Sequence, residues 1–158
     1  MVALTGIGEL TDLYEIDYDV WLQRNLELLR QSRFTELDVE HLIEEMEDLG
    51  KKDRSELISR LVILIAHLLK WQFQSAHRSS SWRGSIAEQR MRVARQLKLS
   101  PSLHSFLSEA ICEAYDDAME LAYEETDLPP NTFPRNCPYL PEKLLDKGFW
   151  PELEKRKG

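Results

Sequence analysis

The chain has little of several things, and each shortage excludes a class. It holds only two cysteines in 158 residues, Cys112 and Cys137. Two thiols make neither a disulfide framework nor a zinc ligand set by themselves, so both are expected to be free. Glycine and proline are scarce, at 6 and 7 residues. Five of the prolines fall in LPPNTFPRNCPYLP, so the segments before it lack the punctuation of a turn-rich β protein. No alternating strand pattern, 20–50-residue repeat or glycine-rich phosphate loop is evident. The longest apolar run, Leu61 to Leu69, is interrupted by His67. It is too short for the roughly 20 residues that cross a bilayer. The opening MVALTGIGEL has no basic segment ahead of an apolar one, so no signal peptide is expected and the cytoplasm is the expected location.

What remains is a sequence of helical periods. Asp17 or Asp19 begins a helix carrying Trp21, Leu22, Leu26 and Leu29. Asp38 reads as the next N-cap, with His41 where a capping box would place Glu. Val39, Leu42, Ile43, Met46 and Leu49 then share one face, and Gly50 predicts a break or bend. The next helix, about Asp53 to Gln74, is apolar on most sides (Leu57, Leu61, Leu64, Leu68, Trp71) and is expected to be central. Ser80 or Ser81 caps a helix bearing Trp82, Ile86, Val93 and Leu97. Ser100-Pro101 restarts the chain into a regular helix from Leu103 to about Asp127. A short helix, Glu142 to Lys147, follows the proline-rich stretch. The expected fold is an all-α, up-and-down bundle of about five helices with a proline-rich C-terminal strap across its outside. It forms one domain over residues 14–150, between flexible ends at 1–13 and 151–158.

Net charge is −8 and unevenly spread: −9 over residues 1–56, +7 over 57–100 and −6 over 101–158. A basic middle either lies beside acidic helices or forms a surface for a phosphate-bearing partner. Three groups could carry chemistry. Glu44 and Glu47 lie in an acidic run; carboxylates one turn apart can hold divalent metals, yet the same residues suit a solvated face. His67, Lys70 and Gln74 form a polar strip on the most apolar helix, fit for a buried ion pair or for acid–base and ligand work. Arg78, Ser81, Trp82, Arg83, Arg90 and Arg92 surround a helix start, fit for holding an anion and stacking a base, or for ordinary capping and core.

Several tokens occur in order: YEIDYDVWLQRNLELLR, ELDVEHLIEEMEDLGKKDRSEL, HLLKWQFQ, RSSSWRGSIAEQR, SPSLHSFL, AYDDAMELAYEET and FPRNCPY. In these the chain resembles the bacterial domain of unknown function 29 family, from about Tyr14 to Phe149. The resemblance implies an all-helical, stand-alone cytoplasmic domain. It implies no activity, and gives no role to the matching Glu44, Glu45, His67, Lys70, Arg78, Ser81, Trp82, Arg83, Gln89 and Arg90. Cofactor and metal stay unspecified. The leading expectation is a non-enzymatic interaction or regulatory module with a protein partner or a second copy. A metal-dependent hydrolase or nuclease using Glu44, Glu47 and His67 is one alternative. A nucleic-acid or nucleotide binder using the basic segment is the other, although the net charge weighs against it. No membrane association is expected.

Overall fold

A computed structural model describes residues 6–153. All regular structure in it is helical: α1 Gly6–Ile16, α2 Tyr18–Arg30, α3 Val39–Phe73, α4 Ser80–Leu99, α5 Leu107–Thr126 and α6 Pro141–Leu145. Short 3-10 turns occupy Phe34–Glu36, Ser75–His77, Pro101–Phe106 and Pro130–Thr132. The chain falls into two compact units with their boundary between Lys52 and Asp53. No described helix is long and apolar enough to cross a membrane.

In the first unit, α2 starts where expected. The Asp17 carboxylate accepts the Val20 N–H (3.1 Å), satisfying an amide that has no partner inside the helix. Asp19 in the first turn and Arg30 in the last complement the helix dipole. Ser32 takes a left-handed conformation (φ 57°) just past the end. Ahead of α2, the described part of the expected flexible end is helical, since α1 runs over Gly6–Ile16. Residues 1–5 lie outside the described residues.

The expected break at Gly50 is absent, and α3 passes through it without interruption. Ending a helix at glycine uses a positive φ, and no glycine of the described chain has one. Gly50 therefore stays helical, at a propensity cost of about 1 kcal/mol relative to Ala.

The second unit contains the hydrophobic core. Leu57, Leu61, Leu64, Ile65, Leu68 and Leu69 of α3 are fully buried, as expected of the central helix. Ile86, Val93 and Leu97 of α4 pack with them, as do Ala110, Ile111, Ala114, Tyr115, Ala118 and Ala122 of α5. Each fully buried Leu or Ile contributes about 1.5–3 kcal/mol relative to exposure. The cap of α4 is Ser79, whose hydroxyl accepts the Trp82 N–H (3.2 Å), rather than Ser80 or Ser81. Pro101 is the first residue of a 3-10 turn that leads into α5, and Ser100 makes no side-chain cap. At its other end α5 stops on Asp127 in the left-handed region (φ 55°), a conformation that Asp tolerates.

The proline-rich segment is more than an external strap. Phe133 and Tyr139 enter the core, as does Leu144 of α6. Tyr115 Oη donates to the Pro134 carbonyl (2.6 Å) and Tyr139 Oη to Gln72 Oε1 (2.7 Å). The residues after α6 are also held in place: Trp150 packs on Trp71 (centroids 4.7 Å) and Pro151 is buried. A flexible end from residue 151 is thus not what Pro151 and Glu152 form; residues 154–158 lie outside the described residues.

Candidate functional site

The expected residues do not form one site. Glu44 and Glu47 are exposed on the first part of α3 and belong to the first unit, whereas His67 belongs to the second. Among the described residues, no three His, Cys, Asp or Glu side chains are grouped to hold a metal ion.

The polar strip on α3 resolves into internal pairings. His67 Nδ1 lies 2.8 Å from the Ile63 carbonyl oxygen one turn earlier, so that nitrogen carries the proton. Burial, aided by the Lys70 charge, holds the imidazole pKa below its ordinary value. Lys70, only 4% exposed, forms an ion pair with Glu125 of α5, and its ammonium lies over the Trp82 ring at 4.8 Å. Gln74 donates to the Thr126 carbonyl (3.2 Å).

Two arginines of the basic segment, Arg78 and Arg90, are committed to the chain's own C-terminal part. Arg78 donates to the Trp71 carbonyl (2.8 Å) and grips the Glu152 carboxylate with both terminal nitrogens (3.0 and 2.9 Å). Its guanidinium also stacks on Trp71 (4.8 Å). Arg90 is 2% exposed and pairs with no carboxylate among the described residues. It donates instead to the carbonyls of Leu144 (2.8 Å), Phe149 (2.8 Å) and Lys143 (3.4 Å). Burial lowers its pKa, partly offset by Asp146. Of the residues around this helix start, Arg78 and Arg90 are occupied, Trp82 is half-buried under Lys70, and Arg92 pairs with Glu88 (2.7 Å). Ser81, Arg83 and Arg92 of the expected set are exposed.

A cluster that the sequence expectations missed lies in the first unit. Asp38, 6% exposed, accepts from Trp21 Nε1 (2.8 Å) and His41 Nδ1 (2.7 Å) on the same oxygen. Its main-chain N–H donates to Asn25 Oδ1 (3.1 Å), and Asn25 Nδ2 donates to the Trp21 carbonyl (2.9 Å). Tyr14 covers His41, and the Tyr14 and Tyr18 hydroxyls donate to the two oxygens of Glu45 (2.8 and 2.7 Å). Burial raises the Asp38 pKa, but the His41 and Trp21 hydrogen bonds outweigh it and leave the carboxyl below its usual range. The same hydrogen bond raises the His41 pKa. The Glu45 partnership pushes the Tyr14 phenol up to about 12, so it remains a donor. Among the described residues, no nucleophilic Ser, Thr or Cys side chain is a hydrogen-bond partner in this cluster. The cluster is built to position α1 and α2 on the start of α3. Its sequence signal is Asp38-x-x-His41-x-x-x-Glu45, one face of a helix, opposite Tyr18-x-x-Trp21-x-x-x-Asn25.

The apolar residues of the same stretch share one face of α3, but that face is not packed into the core. Val39, Ile43, Met46 and Leu49 are exposed by 52, 50, 72 and 65%, and only Leu42 is half-buried. They make one ridge on α3, with Gly50 in line and nothing within 4 Å of where its Cβ would stand. Glu40, Glu44, Glu47 and Asp48 are exposed along the same turns. Of the thirteen exposed large hydrophobics among the described residues, eight fall in the first unit, whose buried hydrophobics are Leu10 and Trp21. This unit turns more apolar side chain outward than inward.

The family model of the domain of unknown function DUF29 matches residues 13–150. No curated protein and no solved structure matches the chain.

Proposed function

We propose, given that this chain belongs to the domain of unknown function DUF29 family, that it is a protein-interaction module whose contact face is the outer ridge of α3. One observation carries the reading: Val39, Ile43, Met46 and Leu49 project together from a unit that buries little else. A patch of contiguous large apolar side chains costs free energy in water and is the usual mark of a contact surface. The chemistry of the edges selects the occupant. Five acids stand between Val39 and Gly50 with no Lys or Arg among them, and Lys51 only approaches Asp48 at 3.8 Å. The partner is therefore an amphipathic helix with an apolar face and Lys or Arg along its flanks, laid against the ridge. A second copy offering the same ridge would bring acid against acid.

The test uses the purified full chain and two synthetic helical peptides with the same leucine face, one flanked by Lys and one by Glu. Fluorescence anisotropy should show the Lys-flanked peptide binding at least tenfold more tightly. The Ile43→Asp/Met46→Asp variant should lose that binding while keeping its helical circular dichroism. Equal binding of both peptides, or of neither, overturns the reading. Self-association of the free chain that disappears in the variant would overturn it in favour of a second copy.

A further inference from the structure

The two cysteines, 25 positions apart in sequence, open onto the same hollow. A cavity of about 420 Å³ lies between α5 and the proline-rich segment, lined by Cys112, Tyr115, Asp116, Arg135, Cys137 and Tyr139 among others. Cys112 is exposed on α5, just beyond the buried Ile111. Cys137 is half-buried, and its thiol donates to the Tyr139 carbonyl at 3.7 Å. We propose that this cavity is a thiol-oxidation site, in which a small disulfide reagent such as oxidised glutathione converts Cys112 and Cys137 into a bond between α5 and the proline-rich segment.

The two thiols have unequal roles. Cys112 meets solvent, so a disulfide reagent reaches it first. Arg135 at the rim attracts an approaching anionic reagent such as oxidised glutathione. Burial pushes the Cys137 thiol up, and proximity to Cys112 adds to that rise, so Cys137 is the poorer first nucleophile. The Cys112 thiolate attacks one sulfur of the reagent, forming a mixed disulfide and releasing one reagent thiolate. Cys137 then gives up its proton, attacks the Cys112 sulfur and expels the second reagent thiolate. Two electrons pass from the protein thiols to the reagent disulfide, and their two protons end on the two reagent thiols.

The product closes a loop of about 25 residues that includes Phe133 and Pro134, which already bind the core and Tyr115. The experiment incubates the full chain with oxidised glutathione and reads intact mass and peptide maps. The expected result is a monomer two hydrogens lighter, with Cys112 joined to Cys137, and a melting temperature higher by roughly 5–10 °C. Dithiothreitol should reverse both changes, Cys112→Ser should remain unmodified, and Cys137→Ser should stop at the mixed disulfide on Cys112. A persistent mixed disulfide on the unmutated chain, a cross-linked dimer, or no reaction would each overturn the proposal.

Discussion

The ring of Tyr14 lies flat on the imidazole of His41, with centroids 3.9 Å apart and planes 17° from parallel. The stack places one aromatic face of α1 on the first turn of α3. It also shields the His41–Asp38 hydrogen bond, which ties Trp21 of α2 into the same knot.

Removing that knot should loosen the first unit. Asp38→Ala leaves the indole N–H of Trp21, whose side chain is wholly buried, without its acceptor. An unsatisfied buried donor costs about 1–3 kcal/mol. A urea titration followed by NMR of the Trp21 indole N–H, resolved from those of Trp71, Trp82 and Trp150, should report unfolding at lower denaturant in the variant.

The two α3 histidines should respond to pH in opposite directions. His41 has a raised pKa when folded, so its bond to Asp38 stabilises fully below the unfolded value of 6.5. That contribution fades as pH climbs through the folded value. His67 has a lowered pKa, so it favours folding while neutral. Stability is lost as pH falls from 6.5 through its folded value. An NMR titration of the ring protons should place the His41 midpoint above 6.5 and the His67 midpoint below it.

Arg90 should be intolerant of change. Its fork bonds to carbonyls on either side of Gly148, and Lys cannot reproduce two such bonds from a single ammonium. Arg90→Lys is expected to cost about 2 kcal/mol, and Arg90→Ala about 3 kcal/mol or more, since a fully buried side chain is lost as well. Limited proteolysis should then cut within residues 134–150 faster than in the unmutated chain.

Gly50→Ala should stabilise. The site is helical, no neighbour obstructs a Cβ, and Ala exceeds Gly in a helix by about 1 kcal/mol. Thermal unfolding should shift upward. Weaker peptide binding in the same variant would place the glycine gap within the contact ridge.

How much of this was legible in the sequence depended on the range of each signal. The Asp17 cap, the buried face Leu57–Trp71 and the 3- and 4-residue steps of α5 are local patterns, and they were read correctly. Gly50 was ambiguous because the same residue ends a helix in one backbone conformation and is merely tolerated in another. Three consecutive serines can each cap, and only the fold selects Ser79. The Val39–Leu49 stripe has the right period for a core face, but period alone does not say that anything covers it. Arg90 was hardest, because its acceptors are main-chain carbonyls 53 to 59 residues away, and every residue has one. The Tyr14–Trp21–Asp38–His41 cluster needed three helices brought together before its parts had partners.

The grip of Arg78 on Glu152 has a practical consequence. Glu152, easily trimmed along with the charged residues beside it, acts as the counter-ion of Arg78. Cutting ahead of Phe149 would expose Arg78 and strip Arg90 of an acceptor, turning a neutralised surface into a cationic one. Phosphate or nucleic-acid binding by a shortened chain would then report the missing tail rather than a property of the intact protein.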